Sequence, residues 1–384
     1  MDRGLYAAEH EAFRETVTTY VEREVVPNME RWEEARLVSR DAWLAAGRQG
    51  VVGLSGPADC GGGGQGDYRY RNVVLEELAR VGANSLSSSF SLQDDILIPY
   101  VAALADRGQR ARWLVPMCHG EMIAAIAMTE PGTGSDLKGI RTTGRKVEGG
   151  WRVSGSKTFI TSGIQSDIVV VVARTSPEGG SDGFSLLVVE AGMAGFSRGR
   201  KLKKIGLNGQ DTAELFFDDV FVPRENLLGT EGGGFRQLMR HLPLERLSIA
   251  ATAVASADAA LAWTLEYVQQ RRAFGQPIAD FQNTRFVLAE VATELDVTRA
   301  FVDKAVMAVG SGTLTAVEAA KAKLWATEVQ HRAIDRLLQL FGGYGYMLEY
   351  PIARAYQDAR VQRIFGGTNE IMKQIIGRDL IGRR

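Results

Sequence analysis

The chain is predicted to be an α+β multidomain protein: an N-terminal α-helical domain, a central β-barrel or sandwich, and a C-terminal antiparallel bundle of the four-helix type. Three observations point there. The hydrophobic period changes from helical to alternating near Met122 and back to helical near Gly234. Clusters of turn residues punctuate the middle stretch, whereas long uninterrupted periodic runs follow it. The 384 residues exceed what one core usually serves. The changes of period place the boundaries at 1–120, 121–229 and 230–384.

In the first region, residues 5–27 read as a helix with Phe13, Val17, Tyr20, Val21 and Val25 on its apolar side, closed by Pro27. A second short helix runs from Asp41 to Arg48, and Val51 to Leu54 is a short apolar piece. The glycine run after Cys60 formally contains G-x-G-x-x-G at Gly61, Gly63 and Gly66. A dinucleotide fingerprint needs a strand directly before it and an acidic ribose partner downstream. Here Pro57-Ala58-Asp59 intervenes and no strand closes the unit, so the run reads as a loop. Residues 67–80 and 84–117 read as helical.

The central region carries β-rich runs at Trp151–Ser154, Ile168–Ala173, Phe184–Val189 and Glu214–Phe221. Turn signals separate them at Glu148-Gly149-Gly150, Pro177–Gly183 and Leu207-Asn208-Gly209. Short strands at this spacing suit a small barrel or sandwich. From Gly234 the period is helical again, over about 235–271, 281–310, 315–341, 348–361 and 369–381; long helices with short connections predict an antiparallel bundle.

Charge narrows the function. Forty-five basic and 46 acidic residues give a formal net charge of −1, which argues against a nucleic-acid surface as the main business. Cys60 and Cys118 imply no disulfide framework, and no metal-ligand spacing is seen. The charged N-terminus is no signal peptide, and no run approaches the ~20 apolar residues of a membrane span, so the cytoplasm is the expected compartment.

Two features suggest a ligand. The stretch from Gln339 to Lys373 holds the clusters Gly342-Gly343-Tyr344-Gly345 and Gly366-Gly367-Thr368. Thr368 reads as an N-cap, with Ile371, Ile375 and Ile376 on one face of the helix that follows. A glycine turn facing a helix N-terminus suits an anionic or acceptor-rich ligand; it equally suits two C-caps and a turn. The second feature is Ala127–Asp136, a turn-rich loop of hydroxyls, glycines and exposed backbone.

Together these stretches, Met128-Thr-Glu-Pro-Gly-Thr-Gly-Ser-Asp136 and the C-terminal segment, resemble the signature regions of the acyl-CoA dehydrogenase family of flavoproteins. Lys157-Thr-Phe-Ile-Thr-Ser162 and Arg271-Arg-Ala-Phe-Gly-Gln-Pro-Ile-Ala-Asp-Phe-Gln282 extend the resemblance over essentially the whole chain. It implies the α-β-α fold of that family, bound FAD, and a fatty acyl thioester losing its pro-R α-proton while a β-hydride goes to flavin N5. The product is a trans-2-enoyl thioester, and the electrons pass to an electron-transfer flavoprotein.

Residue by residue, the resemblance implies that Ile126, Met128 and Thr129 lie along the flavin. Ser135 falls near the pyrophosphate and the thioester end of the substrate, Phe159 beside the ring, and Thr161 near N5. Arg271, Phe274 and Gln282, with Gln339, Gly342 and Gly343, match positions reaching the FAD of a neighbouring subunit, which implies a homotetramer or at least a dimer. Thr368 and Glu370 match contacts to the FAD phosphates and adenosine part.

Many members carry the catalytic glutamate immediately before the Gly-Thr pair, where this chain has Gly366. The isovaleryl and long-chain branches resemble this chain in placing a Glu-Arg pair on an earlier helix, here Glu245-Arg246. The helical neighbours of Glu245 are His241, Leu242, Ser248 and Ile249, a largely apolar face that would raise its pKa toward neutrality if it lined a pocket. Pro243 frees the carbonyl of Met239 and predicts a kink. Glu245 is therefore the expected base, with Leu242, Arg246, Gly366 and Gly367 as expected substrate contacts. A backbone N–H at Gly366 can still polarise the thioester carbonyl. An acyl-carrier-protein thioester in place of acyl-CoA, a catalytically silent flavin-binding relative, and a flavin oxidase or monooxygenase are the alternatives.

Overall fold

The computed structural model describes residues 3–176 and 180–382; Pro177, Glu178 and Gly179 of the predicted turn lie outside the described residues. The N-terminal region is helical, as expected. It contains α1 (Ala8–Tyr20), α2 (Met29–Ala35), α3 (Arg40–Arg48), α4 (Tyr68–Arg80), α5 (Asn84–Ser91) and α6 (Ile98–Leu104), with single turns α7 (Arg107–Gln109) and α8 (Val115–Cys118). The predicted helix over 5–27 is shorter than its apolar pattern. After Tyr20 the backbone widens into a π-turn (Val21–Val25) and tightens into a 3-10 turn (Val26–Asn28) around Pro27. Proline cannot donate to the carbonyl four residues earlier, and the ladder shifts register to absorb the loss. Val17, Tyr20, Val21 and Val25 are nonetheless fully buried, against Trp43 and Phe90 among others. A second π-turn, Leu92–Leu97, precedes Pro99. Among the described residues no strand precedes the glycine run, which folds as a loop.

The centre is an eight-stranded sheet: β1 (Ala124–Ala127), β2 (Thr143–Val147), β3 (Gly150–Thr161), β4 (Ile168–Arg174), β5 (Phe184–Glu190), β6 (Phe196–Lys201), β7 (Thr212–Pro223) and β8 (Leu227–Leu228). The four predicted runs lie in β3, β4, β5 and β7. The polar sequences of β2 and β6 carry no apolar alternation, and β1 and β8 are four and two residues long, so these strands escaped prediction. The half-sheet β6-β7-β3-β2 meets the half-sheet containing β1, β4, β5 and β8 through a single parallel pair, Thr143 with Arg174. The two halves close on one core that includes Trp151, Val153, Val169, Val171, Leu215 and Val220. The opposite face of β4 and β5 (Ile168, Val170, Val172; Leu186, Val188) packs on the N-terminal helices with Trp113 and Tyr100. A strand buried on both faces reads as a continuous apolar run, as Ile168–Ala173 does.

The C-terminal bundle comprises α9 (Gly234–Gln270), α10 (Gln282–Gly310), α11 (Ala316–Phe341), α12 (Pro351–Gln362) and α13 (Asn369–Ile381), close to the predicted limits. Helix α9 is continuous across Pro243. By length and composition α9 could cross a membrane, contrary to the sequence expectation, but 72% of its most apolar window is buried inside the protein, where it forms the spine of the bundle. Thr368 caps α13, its Oγ1 accepting from the Ile371 N–H at 3.4 Å. The buried anchors of α13 are Asn369 and Met372, while the predicted Ile371, Ile375 and Ile376 are half-buried.

Candidate active site

The three regions meet around a cavity of about 170 Å³. One wall belongs to the sheet: Ile126, Met128 and Thr129 at the end of β1, and Phe159, Ile160 and Thr161 on β3. A β-bulge sits here, because β3 spends three steps between Lys157 and Ile160 while β7 spends two between Leu215 and Ala213. It puts Phe159 at φ +59°, a region bulky residues rarely visit, and leaves the residue 68% exposed. The hydroxyls of Thr129 and Thr161 make no hydrogen bond among the described residues. An exposed aromatic face beside two free hydroxyls fits a flat ring with polar edges.

The opposite wall is helical. Glu245 projects from α9, with Leu92 and Ile96 of the π-turn, Ile249 and Phe365 beside it. Its carboxylate has no hydrogen bond and no salt bridge among the described residues; Oε2 is buried without a partner. Burial pushes its pKa up to about 7, against the opposing charges of Arg246 and Lys323. The ordinary state of a helical glutamate beside an arginine, a solvated surface pair, is therefore not what the structure shows. The ring of His241, one turn earlier, packs against Tyr100 in a tilted pair, 4.5 Å between centroids.

Gly366 completes the cavity, at φ +62°. A Cβ built there would stand 3.6 Å from Glu245 Oε1 and 2.3 Å from Ile249 Cδ1. The residue that lacks a side chain and the residue that supplies the carboxylate thus address the same point in space. The turn is held from behind by Lys323 of α11, fully buried, whose Nζ donates to the Gly367 carbonyl and to Asn369 Oδ1, each at 2.9 Å.

Other expected site residues stand elsewhere. Arg271 and Phe274 lie on the β-hairpin Arg272–Ala273/Gln276–Pro277, with Phe274 95% exposed, and Gln282 opens α10. Gln339, Gly342 and Gly343 end α11, and the Arg271 guanidinium lies over the neighbouring Tyr344 ring at 5.5 Å. This group forms one exposed surface outside the cavity. Ser135 is exposed in the loop after β1, and Glu370 is exposed in the first turn of α13, where the N-terminal backbone holds its carboxyl below the ordinary value. Leu242 is half-buried, Arg246 is buried, and neither lines the cavity; nor does Gly367.

Sequence reading missed the supports. Glu130, inside the Met128–Asp136 motif, accepts from the N–H groups of Arg141 and Thr142 at 2.8 Å and from Lys157 Nζ at 2.9 Å. Lys157 also donates to the Met128 carbonyl at 2.9 Å, tying the first signature to the second. Behind the cavity, Arg71 pairs with Asp95 at 3.1 Å, and Asp95 accepts from Ser248 Oγ at 2.5 Å. Opposite charges in two motifs were the available signal for the first clamp; the second, spread over α4, the π-turn and α9, left none.

Comparison with known proteins agrees with this geometry. Models of the N-terminal, middle and C-terminal domains of acyl-CoA dehydrogenases match residues 7–121, 125–220 and 232–381. The chain is 48% identical over 381 residues to a long-chain specific acyl-CoA dehydrogenase of Sus scrofa, covering 99% of this chain and 88% of that protein. The crystal structure of an acyl-CoA dehydrogenase from Geobacillus kaustophilus superposes with a TM-score of 0.95 at 44% identity, covering 98% of each chain. A glutaryl-CoA dehydrogenase from Mycobacterium smegmatis, solved in complex with FADH2, superposes with a TM-score of 0.91 at 25% identity, over 99% of this chain and 96% of that one. With matches along its whole length, the chain belongs to the acyl-CoA dehydrogenase family and is an FAD-dependent oxidoreductase.

Proposed function

We propose that the protein dehydrogenates a fatty acyl-CoA thioester to its trans-2-enoyl form, with Glu245 as the base, and passes the electrons to an electron-transfer flavoprotein. The observation that carries this reading is the unpaired, buried Glu245 carboxylate beside the side-chain-free Gly366. FAD, when bound, supplies the acceptor for the β-hydride. The chain's own residues do the rest. Thr129, Phe159 and Thr161 shape the ring's side of the cavity. The Gly366 N–H, in a turn fixed by Lys323, is available to polarise the thioester carbonyl and favour the developing enolate. Glu245 takes the α-proton on its carboxylate, and the apolar groups around it exclude water and keep its pKa near neutrality. The exposed surface around Arg271, Phe274 and Tyr346 fits a second copy of the chain, supporting a dimer or tetramer in which these residues approach a neighbour's FAD. The two free cysteines suit a reducing cytoplasm.

The test is anaerobic titration of the yellow holoprotein with acyl-CoAs of graded length and branching, and with matched acyl-carrier-protein thioesters. Flavin bleaching with enoyl-CoA formation is expected, followed by faster reoxidation by electron-transfer flavoprotein than by oxygen. Bleaching by the carrier-protein thioester alone would replace the substrate, rapid oxygen consumption would replace the acceptor, and no bleaching by any thioester would leave a silent flavoprotein. Light scattering of the eluted holoprotein gives the oligomeric state.

A further inference from the structure

The helical wall of the cavity is not uniformly apolar. Around Glu245 it is hydrocarbon, from Leu92, Ile96, Ile249 and Phe365. Farther along it turns polar, through Ser248 and Thr252 of α9, Ser91, Ser88 and Asn84 of α5, and Gln362 at the end of α12. Thr252 lies two turns beyond Glu245, roughly 10 Å along the helix at 1.5 Å per residue.

Most of these groups are accounted for. Ser248 donates to Asp95, and Thr252 donates to the Ser248 carbonyl. Ser91 accepts from Arg71 and Ser88 from Gln210. Asn84 gives its Nδ2 to Asp358 at 3.1 Å but leaves Oδ1 buried and without a partner. Gln362 is the exception in full. It is 4% exposed and lines the cavity, and no hydrogen bond reaches either end of its carboxamide among the described residues. A buried amide is ordinarily satisfied, so a free one facing a ligand cavity marks a place where the ligand supplies the partner.

We infer that this polar end is a subsite for a hydroxyl group carried on the distal part of the acyl chain, received by Gln362 and Asn84. The inference rests on the acyl-thioester reading above. A hydroxyl both donates and accepts, which matches the free ends of a carboxamide, the open Asn84 Oδ1 and the serine hydroxyls. A carboxylate does not fit: among the described residues Glu245 is the one charged residue on the lining, and Arg71 behind the wall is already paired with Asp95. A plain hydrocarbon tail would leave the Gln362 amide stripped of partners, which a hydroxylated chain avoids.

The experiment compares saturated acyl-CoAs of one length, unsubstituted or with a single hydroxyl moved along the distal half, by anaerobic flavin reduction. The wild-type holoenzyme is expected to favour one hydroxyl position by about tenfold in kcat/KM, the size of one buried hydrogen bond to an otherwise unpartnered group. Gln362→Leu should remove that preference chiefly through KM, and improve the unsubstituted chain, while FAD content and flavin spectrum stay as in the wild type. The subsite is refuted if the unsubstituted chain is preferred over every hydroxylated one, or if the preference survives in Gln362→Leu. Loss of FAD from that variant would assign the amide to the cofactor and also refute it. If Gln362→Leu does not fold, Gln362→Met carries the test: loss of the preference is expected, and its survival refutes the subsite. Failure of every thioester to reduce the flavin sinks the acyl-thioester reading and the subsite together, whereas equal rates with plain and hydroxylated chains sink the subsite alone.

Discussion

Glu245 and Glu130 are two glutamates of nearly the same solvent exposure, 9% and 7%, with Glu245 the more deeply packed, and they end in opposite electrostatic states. Glu130 is surrounded by donors from Thr142, Arg141 and Lys157. Burial alone would raise its pKa, but those donors outweigh burial and hold it below the ordinary value. Glu245 has no donor, and burial dominates, placing it at about 7. Low solvent exposure therefore does not by itself make a carboxylate a base. Deep packing without partners does, and the fold spends a lysine and two backbone amides to make the other carboxylate a fixed strut.

The largest effect is expected at Glu245. Glu245→Gln keeps the shape and removes the acceptor for the α-proton, so acyl-CoA reduction of the flavin should fall by roughly 10²–10⁴-fold, the usual share of a general base. Since no partner is orphaned, FAD content and Tm should not fall. Stopped-flow bleaching and a thermal melt on the same sample check both. A variant that bleaches at the wild-type rate would remove Glu245 from the chemistry.

The second effect reverses the pattern, with stability moving rather than proton transfer. Lys157→Met strands the Glu130 charge beside two backbone donors and frees the Met128 carbonyl. Breaking a buried pair on one side costs about 3–5 kcal/mol. Denaturant unfolding should show that loss, accompanied by weaker FAD retention, because the clamp holds Thr129 against β3. A variant as stable as the wild type would mean that the amide donors alone suffice.

The contrast also has opposite signs in pH. Glu245 has a raised native pKa, so its favourable contribution is complete below about 4.5 and is lost as pH rises through the window to about 7. Glu130 has a lowered one, so its contribution is complete above about 4.5 and is lost as pH falls below that value. Wild-type stability minus that of Glu245→Gln should therefore decline between those two pH values. Over the same range kcat/KM should rise, with an apparent pKa near 7, as the base ionises. A flat difference curve would place the Glu245 titration outside this range.

How far the sequence reaches is plain from the same residues. The α-β-α plan was legible because each region obeys one period over a long stretch; polar β2 and β6 were not, because pairing and not patterning makes them strands. The resemblance turned the missing side chain at Gly366 into a pointer to Glu245, and the 3.6 Å approach gives that pointer a geometry. Opposite charges in two motifs hint at the clamp, but only the fold brings Lys157 onto Glu130 from 27 residues away. Gln362 was hidden too: between Arg360 and Arg363 it reads as part of a solvated face, yet it is buried and lines the cavity.

The smallest effect probes why the two acidic positions exclude each other. Gly366→Ala adds one methyl at φ +62°, where L-residues are disfavoured by about 1–2 kcal/mol. The methyl would lie 2.3 Å from Ile249 Cδ1, a contact that cannot persist. The obstacle is the tip of a flexible side chain, so Ile249→Ala should relieve the clash while leaving the backbone cost in place. The expected result is non-additivity: the double variant loses less stability than the sum of the Gly366→Ala and Ile249→Ala losses, because the clash is absent from it. On that relieved background, Gly366→Glu combined with Glu245→Gln has room for a carboxylate at the vacant position. Partial return of flavin reduction there would show that the two positions serve one point in space; no return, with FAD still bound, would show that the backbone at Gly366 cannot aim a side chain at the α-carbon.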